Sequence, residues 1–340
     1  MNAVQTAINK LINGKNLSRT ESRKAMHAIM NGDGTDAQIS AFLVALRMKG
    51  ETVDEITGVV EAIKSKSTRI KSKFKNVVDT CGTGGDALHT FNISTGAALV
   101  AAGAGVAVAK HGNQSVSSKS GSADVLKSLG VNIDVSPAKM EECLYETGIT
   151  FLFAPKLQTS VRYAMGPRSE IGARTIFNIL GPLLNPARTK RQLIGVYDKN
   201  LVRPVVEVLE ILGAEQIFAV NGHEGMDEIS ITGPTKISEL INGKIFDYNI
   251  APENFEIDTA PISTIQVKTV TESKKMLRSV LKGKASPALD VVLLNAGATI
   301  KVSGKVESMW DGVKLARESI ESGRADSVLE KLIKFTNLKN

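Results

Sequence analysis

The segment NVVDTCGTGGD, residues 76–86, decides the fold of this chain of 340 residues. It begins as a short β-branched strand and runs into three glycines within four positions, which are followed by Asp86. Such a loop between a strand and a helix exposes backbone amides and admits a phosphate group closely. The segment therefore predicts a ligand site at the carboxyl edge of a parallel sheet.

The sequence on either side of this loop alternates between helix and strand patterns, which indicates an α/β fold with a mostly parallel sheet. The predicted helices are STGAALVAAGAG (94–105), GSADVLKSLG (121–130) and LVRPVVEVLEILG (201–213). The predicted strands are VAVAKHGN (106–113), VNIDV (131–135), RQLIGVYD (191–198) and QIFAVNG (216–222). The segment from Val306 to Phe335 reads as helical.

The first part of the chain reads as four helices. The pattern predicts an opening helix over 3–12, and three capping boxes predict the others: Ser18 with Glu21, Thr35 with Gln38, and Thr52 with Glu55. Residues 156–185 return to a mixture of helix and loop. We therefore predict a small helical domain of 1–72 and 156–185, and a larger α/β domain of 73–155 and 186–340.

Composition excludes several classes of protein. Hydrophobic residues make up 42% and charged residues 23%, as in ordinary globular proteins. Two cysteines are too few for a disulfide framework, and four histidines show no zinc spacing. Because no apolar run could span a bilayer and the N-terminus lacks a signal-type apolar block, we expect a cytoplasmic protein.

The net charge of +7 is concentrated in KSKSTRIKSKFK, residues 64–75, which holds six basic residues and no acid. A solvated linker is one interpretation, and a nucleic-acid-binding patch is the other. Phe74 is the only aromatic residue in this run, so it lacks the repeated basic–aromatic pattern of single-strand binders. Nucleic acid is therefore an unfavoured partner.

Three segments carry the candidate chemistry. The glycine loop is neither a P-loop nor a dinucleotide fingerprint. Asp86 would repel a bare phosphate, so we expect it to meet hydroxyls or amides, or a cation to lie between the charges. FNISTG (91–96) supplies hydroxyls at a helix start, and AKHGNQSVSSKSGSADVL (109–126) supplies lysines and hydroxyls that suit an anion. In NGHEGMDEIS (221–230), Asp227 and Glu228 are expected as exposed loop acids that bind a hard cation such as magnesium.

Taken together, DTCGTGGD, FNIST, KHGN, SSKSGSADVL, RTIFNILGPLLNPA and GMDEIS resemble the anthranilate phosphoribosyltransferase family. The resemblance runs from the N-terminal helices to the C-terminal region. It implies a magnesium-dependent pentosyltransferase of tryptophan synthesis, with a homodimer formed through the helical domain. The implied reaction moves phosphoribose from phosphoribosyl pyrophosphate (PRPP) to the amine of anthranilate and releases pyrophosphate. Two magnesium ions are implied, one of them carried with PRPP.

The resemblance also implies roles for individual residues. The residues implied to contact PRPP are Gly82, Gly85, Asp86, Thr90, Asn92, Ile93, Ser94, Thr95, Lys110, His111, Gly112, Asn113, Gln114, Ser115, Val116, Ser117, Ser118 and Ser122. Those implied to face anthranilate are Gly82, His111, Asn113, Arg168, Gly181 and Pro182, and those implied to hold magnesium are Ser94, Asp227 and Glu228. No residue is implied as a nucleophile or base, and Lys110, His111 and Asn113 act by charge and position.

Three positions depart from the family pattern. Gln114-Ser115 stands where the family usually has Arg-Ala, RYAM (162–165) replaces His-Pro-Ala-Met, and Arg168 is a single arginine where two are common. Two other functions stay open. A pyrimidine nucleoside phosphorylase shares the architecture and a KHG loop, and a non-catalytic nucleic-acid-binding relative would explain the basic segment.

Overall fold

The computed structural model of the protein describes residues 1–114 and 121–338. Its first four helices are α1 (Ala3–Leu11), α2 (Arg19–Asn31), α3 (Asp36–Lys49) and α4 (Val53–Lys66). Each of α2, α3 and α4 begins at the capping box that the sequence predicts. The Ser18 hydroxyl, for example, accepts a hydrogen bond from the Glu21 amide, and the Glu21 carboxylate accepts one from the Ser18 amide.

The larger part of the chain is built on one sheet of seven strands in the order β3-β2-β1-β4-β5-β6-β7. The strands are β1 (Val77–Gly82), β2 (Ala107–Gly112), β3 (Ile149–Phe153), β4 (Arg191–Gly195), β5 (Gln216–Gly222), β6 (Thr235–Ile241) and β7 (Lys244–Ile250). The first five are parallel, whereas β6 and β7 are antiparallel. The predicted fold, a small helical domain beside a larger α/β domain with a mostly parallel sheet, is confirmed.

The remaining helices cover the sheet and connect its strands. They are α5 (Ile93–Gly103), α6 (Ser122–Leu129), α7 (Pro137–Thr147), α8 (Ala154–Leu157), α9 (Met165–Ile171), α10 (Phe177–Leu183), α11 (Val202–Ile211), α12 (Val270–Leu281), α13 (Pro287–Val302), α14 (Met309–Glu321) and α15 (Arg324–Asn337). Three short 3-10 turns lie at Thr159–Ala164, Pro252–Phe255 and Ile262–Thr264. Within the described residues, no helix is long and apolar enough to cross a membrane.

Two main apolar clusters lie on the two faces of the sheet. On one face, α5 packs against α13 and α15, and their buried residues form one cluster with those of β1 and β2. On the other face, α11 packs on β5 and on α4, so the second cluster joins the N-terminal helices to the sheet. Because this cluster is shared across the predicted boundaries, the division of the chain at residues 72, 155 and 185 stays a prediction.

One predicted strand is wrong. Residues 131–135, VNIDV, form an irregular connection in which Val131, Ile133 and Val135 are buried. They cannot join the sheet beside β2, because β3 occupies that edge and pairs with β2 in parallel. The connection instead bonds to the C-terminal helix α15, where the Thr336 hydroxyl accepts a hydrogen bond from the Asn132 amide.

Candidate active site

The candidate site lies at the carboxyl ends of β1 and β4, in the centre of the sheet. The chain continues from β1 to β2 on one side and from β4 to β5 on the other, so the strand order reverses between them. Such a reversal leaves a crevice beyond the strand ends, which is where open α/β sheets bind ligands. The loops after β1 and β5 meet there, and the end of β2 lies beside them, as the sequence predicts for β1 and β2.

The glycine loop after β1 has an unusual backbone. Gly84 and Gly85 have φ angles of +69° and +79°, and Ala87 and His89 also lie in the left-handed region, at +60° and +56°. The amides of Gly85, Asp86 and Ala87 donate no hydrogen bond to any other described residue. Consecutive free amides in a loop of this kind form an anion-binding concavity. The loop therefore presents a preformed receptor for a phosphate group.

A second segment fixes the far end of this loop. The Phe91 amide donates to the Ile265 carbonyl, and the Val267 amide donates to the His89 carbonyl. These two bonds form a short antiparallel bridge between Thr90 and Gln266. The left-handed residues Ala87 and His89 are thus held between two anchored ends, which is how a strained loop persists.

The start of α5 adjoins the loop and carries four of the predicted contacts. Asn92 is the N-cap residue, and its side chain accepts a hydrogen bond of 3.0 Å from the Thr95 hydroxyl. Ile93 is buried and anchors the first turn in the core. The N-terminal end of this 11-residue helix adds a positive partial charge beside the free amides.

Lys110 places a cation beside the glycine loop and the start of α5, and we call the space between these groups the pocket. It lies on β2 and is almost fully buried, with its ammonium 2.7 Å from the Thr80 carbonyl oxygen and 3.1 Å from the Ser94 hydroxyl. Both hydrogen bonds are to neutral acceptors, and the positive charge also acts on the nearby Asp79 and Glu228 carboxyls. An ammonium placed in this way can bind an anion beside them. The structure thus brings Lys110 and Ser94 together, as the sequence reading requires.

The loop after β5 brings Asp227 against the glycine loop. The Gly84 amide donates a 2.6 Å hydrogen bond to the Asp227 carboxylate. A Cβ atom at Gly82 would lie only 2.0 Å from Asp227 Oδ2, so no larger residue fits at the end of β1. Asp227 therefore stabilises the glycine loop as well as lying in the pocket.

Asp227 and Glu228 are not the exposed loop acids that the sequence predicts; each is only 9% exposed. Burial and the nearby Asp86 carboxylate raise the pKa of Asp227 to about 7. Burial and Asp227 raise the pKa of Glu228 well above its usual value, against the opposing effect of Lys110. The prediction of exposure is wrong because the loop after β5 folds back onto the sheet. Burying like charges together in this way is unfavourable unless a cation binds between them.

These donors fit a magnesium ion that shares its ligands with a substrate. Glu228 lies next to the Ser94 backbone amide, and Asp86 lies within hydrogen-bonding reach of Asp227. Among the described residues, no group of three or more His, Cys, Asp and Glu side chains forms a metal cage of its own. Magnesium commonly takes one or two carboxylates and completes its shell with water and substrate phosphates, which matches this donor set.

His111 is buried and tied to α10. Its Nδ1 lies 3.0 Å from the Gly181 carbonyl oxygen, and Gln158 Nε2 approaches its Nε2 at 3.4 Å. Burial lowers the pKa of His111 to about 4, so the ring is neutral near pH 7 and donates from Nδ1 to Gly181. This arrangement suits a residue that positions the backbone around a ligand, not one that carries a proton.

The lowered pKa of His111 predicts a loss of stability in acid. Between its ordinary pKa of 6.5 and its folded value of about 4, the imidazole binds a proton in the unfolded chain but not in the folded one. The free energy of unfolding should therefore fall by about 3 kcal/mol at most across this interval. Urea unfolding at a series of pH values would measure the fall, and His111→Gln should remove that share of it. Identical pH dependence in the two proteins would contradict the prediction.

Asn113 and Ser122 lie together beyond β2. The Asn113 carbonyl accepts hydrogen bonds from the Ala123 amide and the Ser122 hydroxyl, and its side chain accepts one from the Gln114 amide. A Cβ atom at Gly112 would meet the Ser122 hydroxyl at 2.3 Å, so the close approach requires glycine. The predicted contacts at Ser115, Val116, Ser117 and Ser118 lie outside the described residues.

The predicted acceptor side is lined by α9 and α10. The Arg168 guanidinium stacks over the Phe177 ring, 4.6 Å from its centroid. Gly181 has open space where a Cβ would lie, and the Pro182 carbonyl accepts from the Gln192 side chain. In the described ranges, no hydrogen bond joins Arg168 to Asn113, His111 or Gly181, whereas His111 Nδ1 contacts the Gly181 carbonyl directly.

Sequence reasoning missed two residues of the site. Asp79 is fully buried in β1 and accepts hydrogen bonds from the His111 amide, at 3.0 Å, and from the Gln192 side chain, at 3.3 Å. An acid within an otherwise apolar strand was the available signal. Arg174, in the loop after α9, donates to the Gly85 carbonyl, and nothing in its local sequence indicates that contact.

Comparison with known proteins identifies the family of this chain. A glycosyl transferase family model for the α/β domain matches residues 74–326, and one for the helical bundle domain matches residues 5–67. An anthranilate phosphoribosyltransferase of Petrotoga mobilis is 49% identical over 97% of this chain and 96% of its own length.

Two solved structures share the whole architecture. Anthranilate phosphoribosyltransferase from Thermus thermophilus superposes with a TM-score of 0.93 at 37% identity, covering 99% of this chain and 100% of that one. The enzyme from Saccharomyces cerevisiae in complex with PRPP and Mg gives 0.89 at 28% identity, covering 98% and 97%. Because the two family models cover most of the chain and the Petrotoga mobilis relative is 49% identical over nearly its whole length, the chain belongs to the anthranilate phosphoribosyltransferase family.

Proposed function

We propose that this protein transfers 5-phosphoribose from PRPP to the amine of anthranilate, giving N-(5-phosphoribosyl)anthranilate and pyrophosphate. The observation that carries the proposal is the arrangement of three free amides at Gly85, Asp86 and Ala87 beside the buried acids Asp227 and Glu228. The amides suit a pyrophosphate, and the acids suit a cation that accompanies it. The yeast relative that was solved with PRPP and Mg supports this assignment.

The chain binds the donor substrate through charge and backbone amides. The glycine loop and the start of α5 hold phosphate oxygens, and Lys110 adds a cation that is held by the Thr80 carbonyl and the Ser94 hydroxyl. We propose that the residues assigned above to PRPP, including Thr90, Asn92, Thr95 and Ser122, line this pocket. Fixed dipoles and charges that already face the leaving group need no reorganisation during the reaction.

Magnesium dependence is part of the proposal. Asp227, Glu228 and the Ser94 hydroxyl would hold the metal, and two ions are proposed, one of which enters with PRPP. Magnesium held there would offset negative charge on the pyrophosphate leaving group. Burial and, after it, the neighbouring carboxylates raise the pKa of both acids, so a cation bound there would relieve an unfavourable concentration of negative charge.

The acceptor side needs position more than proton transfer. An aromatic amine is uncharged near pH 7 and can attack the anomeric carbon without a strong base. We propose that Arg168 meets the carboxylate of anthranilate, while Asn113, His111, Gly181 and Pro182 orient its ring and amine. Holding the amine in line with the leaving pyrophosphate supplies the remaining rate acceleration.

The loss of anthranilate fluorescence in the presence of PRPP, with and without magnesium, tests the proposed reaction. We expect turnover only when both substrates and the metal are present. Two rival functions give different results. Phosphate-dependent release of a base from a pyrimidine nucleoside would favour a phosphorylase, and duplex binding with a steep salt dependence but no turnover would favour a nucleic-acid binder.

Arg168→Ala should raise the KM for anthranilate about ten- to a hundredfold and leave the KM for PRPP nearly unchanged. A charge-assisted hydrogen bond to a carboxylate contributes about 1.5–3 kcal/mol. The alanine variant also lacks the guanidinium that stacks on Phe177. Initial rates at varied concentrations of each substrate measure both constants. Arg168→Lys keeps the charge, so its KM for anthranilate should lie between those of the wild type and Arg168→Ala. Equal increases in the KM values for anthranilate and PRPP would contradict this role.

We further propose that residues 1–72 and 156–185 form the dimerisation domain of a homodimer, and that 73–155 and 186–340 carry the PRPP and magnesium site. Large apolar side chains are exposed on the helical part, with Ile12 65% and Met48 83% accessible. Sedimentation equilibrium would test the dimer by measuring the mass of the wild type and of Met48→Lys in solution. A cytoplasmic location stays a prediction from the sequence.

A further inference from the structure

Arg174 joins the glycine loop to a tyrosine outside it. Its guanidinium lies over the Tyr197 ring, 4.1 Å from the centroid, and donates a hydrogen bond to the Gly85 carbonyl. Arg174 is itself exposed and forms no ion pair within the part of the chain that the structure describes. Arg174, which is distant in sequence, therefore fixes the direction of the Gly85 carbonyl in the glycine loop.

The orientation of one peptide follows from this contact. In a trans peptide the carbonyl and the following N–H point in opposite directions. Holding the Gly85 carbonyl towards Arg174 therefore turns the Asp86 N–H away from Arg174, and this N–H is one of the three free amides of the loop. Gly85, at φ +79°, otherwise has wide conformational freedom, so an external restraint on its carbonyl matters.

Tyr197 links the same loop to the helical part of the protein. Its amide donates to the Thr83 hydroxyl at 3.2 Å, and its side chain packs against the cluster that includes the N-terminal helices. Arg47 and Glu51, at the end of α3, act electrostatically on its phenol. The Arg174–Tyr197 pair thus lies between α3 and the glycine loop, with contacts to both ends of the short Thr83–Gly85 turn.

We propose that Arg174 is a positioning residue for PRPP, which acts through the Gly85 carbonyl to aim the Asp86 amide at the pyrophosphate. The inference rests on the proposed function. It assigns Arg174 no contact with the substrate, because its hydrogen bond is directed to the backbone on the side opposite the free amide. Tyr197 supports the guanidinium in that position.

Calorimetric titration of PRPP with magnesium into the wild type, Arg174→Ala, Arg174→Lys and Arg203→Ala tests the proposal. Arg203 is a suitable control because its guanidinium pairs with Glu207 and Asp247 away from the loop. We expect Arg174→Ala to raise the Kd for PRPP about tenfold, and its KM likewise, with kcat and the KM for anthranilate changed less than threefold. Arg174→Lys retains a donor for the carbonyl and should recover most of the affinity, and Arg203→Ala should match the wild type.

Salt separates this role from direct binding of the phosphate. Because the contact is to a neutral carbonyl, the ratio of the Kd values of Arg174→Ala and the wild type should stay constant between about 50 and 500 mM NaCl. A ratio that shrinks with salt would overturn the proposal in favour of a direct charge contact. Equal Kd values for wild type and Arg174→Ala would also overturn it, whereas a wild type that fails to bind PRPP would refute the proposed function instead.

Discussion

Replacing Asp227 by asparagine together with Glu228 by glutamine should reduce turnover about a thousandfold or more, even at saturating substrates and magnesium. The two carboxylates are the acids proposed to hold the metal beside the leaving pyrophosphate, and removing a preorganised charge from a buried site costs about a hundred- to a thousandfold in kcat. Isosteric amides keep the shape of the loop, and the amide oxygen at residue 227 can still accept from the Gly84 amide.

The same double variant should be as stable as the wild type or more stable. The pKa of each acid is raised in the folded state, so at neutral pH each carboxylate destabilises the fold relative to the unfolded chain. Neutral amides remove that cost. A collapse of activity together with an equal or higher Tm therefore distinguishes a lost metal site from a damaged fold.

Glu141→Gln with Glu142→Gln is the matched control, because these adjacent acids lie on α7, away from the pocket. It should leave turnover near the wild-type value. Initial rates at increasing magnesium concentration and thermal unfolding of all three proteins make the comparison. Turnover near wild type in the Asp227→Asn, Glu228→Gln variant at saturating magnesium would refute the metal assignment.

Gly85→Val should largely abolish the binding of PRPP. The residue has φ +79°, where an L-residue costs about 1–2 kcal/mol and a β-branched one more. Relaxation of the backbone would turn the Gly85 and Asp86 amides away from the pocket and break the contact with Arg174. Among the described residues, only Arg174 lies within 4 Å of a Cβ at this position, so the valine side chain would project into the space proposed for the pyrophosphate. Titration calorimetry with PRPP and magnesium measures the loss.

Gly213→Val provides the matched control for backbone strain. Gly213 has φ +85° and open space around a Cβ, but it follows α11 at the opposite edge of the sheet from the candidate site. Both variants should lose a similar, modest amount of stability, and only Gly85→Val should lose PRPP binding. If Gly85→Val binds PRPP as tightly as the wild type, the glycine loop is merely a turn.

Helix starts, buried parallel strands and the glycine loop can be predicted from the sequence, because neighbouring residues determine them. The capping boxes at Ser18, Thr35 and Thr52 each satisfy helix-end amides with side chains three residues apart, so the pattern is visible in the sequence. Strands β1, β2, β4 and β5 were predicted because buried parallel strands are short, continuous apolar runs. The glycine loop was recognisable because three glycines directly follow such a run.

Long-range packing determines what the sequence did not predict. VNIDV has the apolar alternation of a strand, but ITFLF (β3) takes the place beside β2, and no local signal decides between two candidate strands. The β6–β7 hairpin adds two antiparallel strands to a parallel sheet, and the alternation of strands and helices in the sequence does not predict it. The burial of Asp227 and Glu228, and the reach of Arg174 to Gly85, arise only when distant segments meet.

The most direct test of the account is a calorimetric titration of PRPP into the metal-free wild-type protein, repeated at saturating magnesium. The central proposal is that the glycine loop and two buried acids form one site for a sugar pyrophosphate and its metal. We expect tight binding with magnesium and binding at least tenfold weaker without it, since negative charge from Asp86, Asp227 and Glu228 opposes the bare ligand. Equal affinity in the two titrations, or no binding with magnesium present, would contradict it.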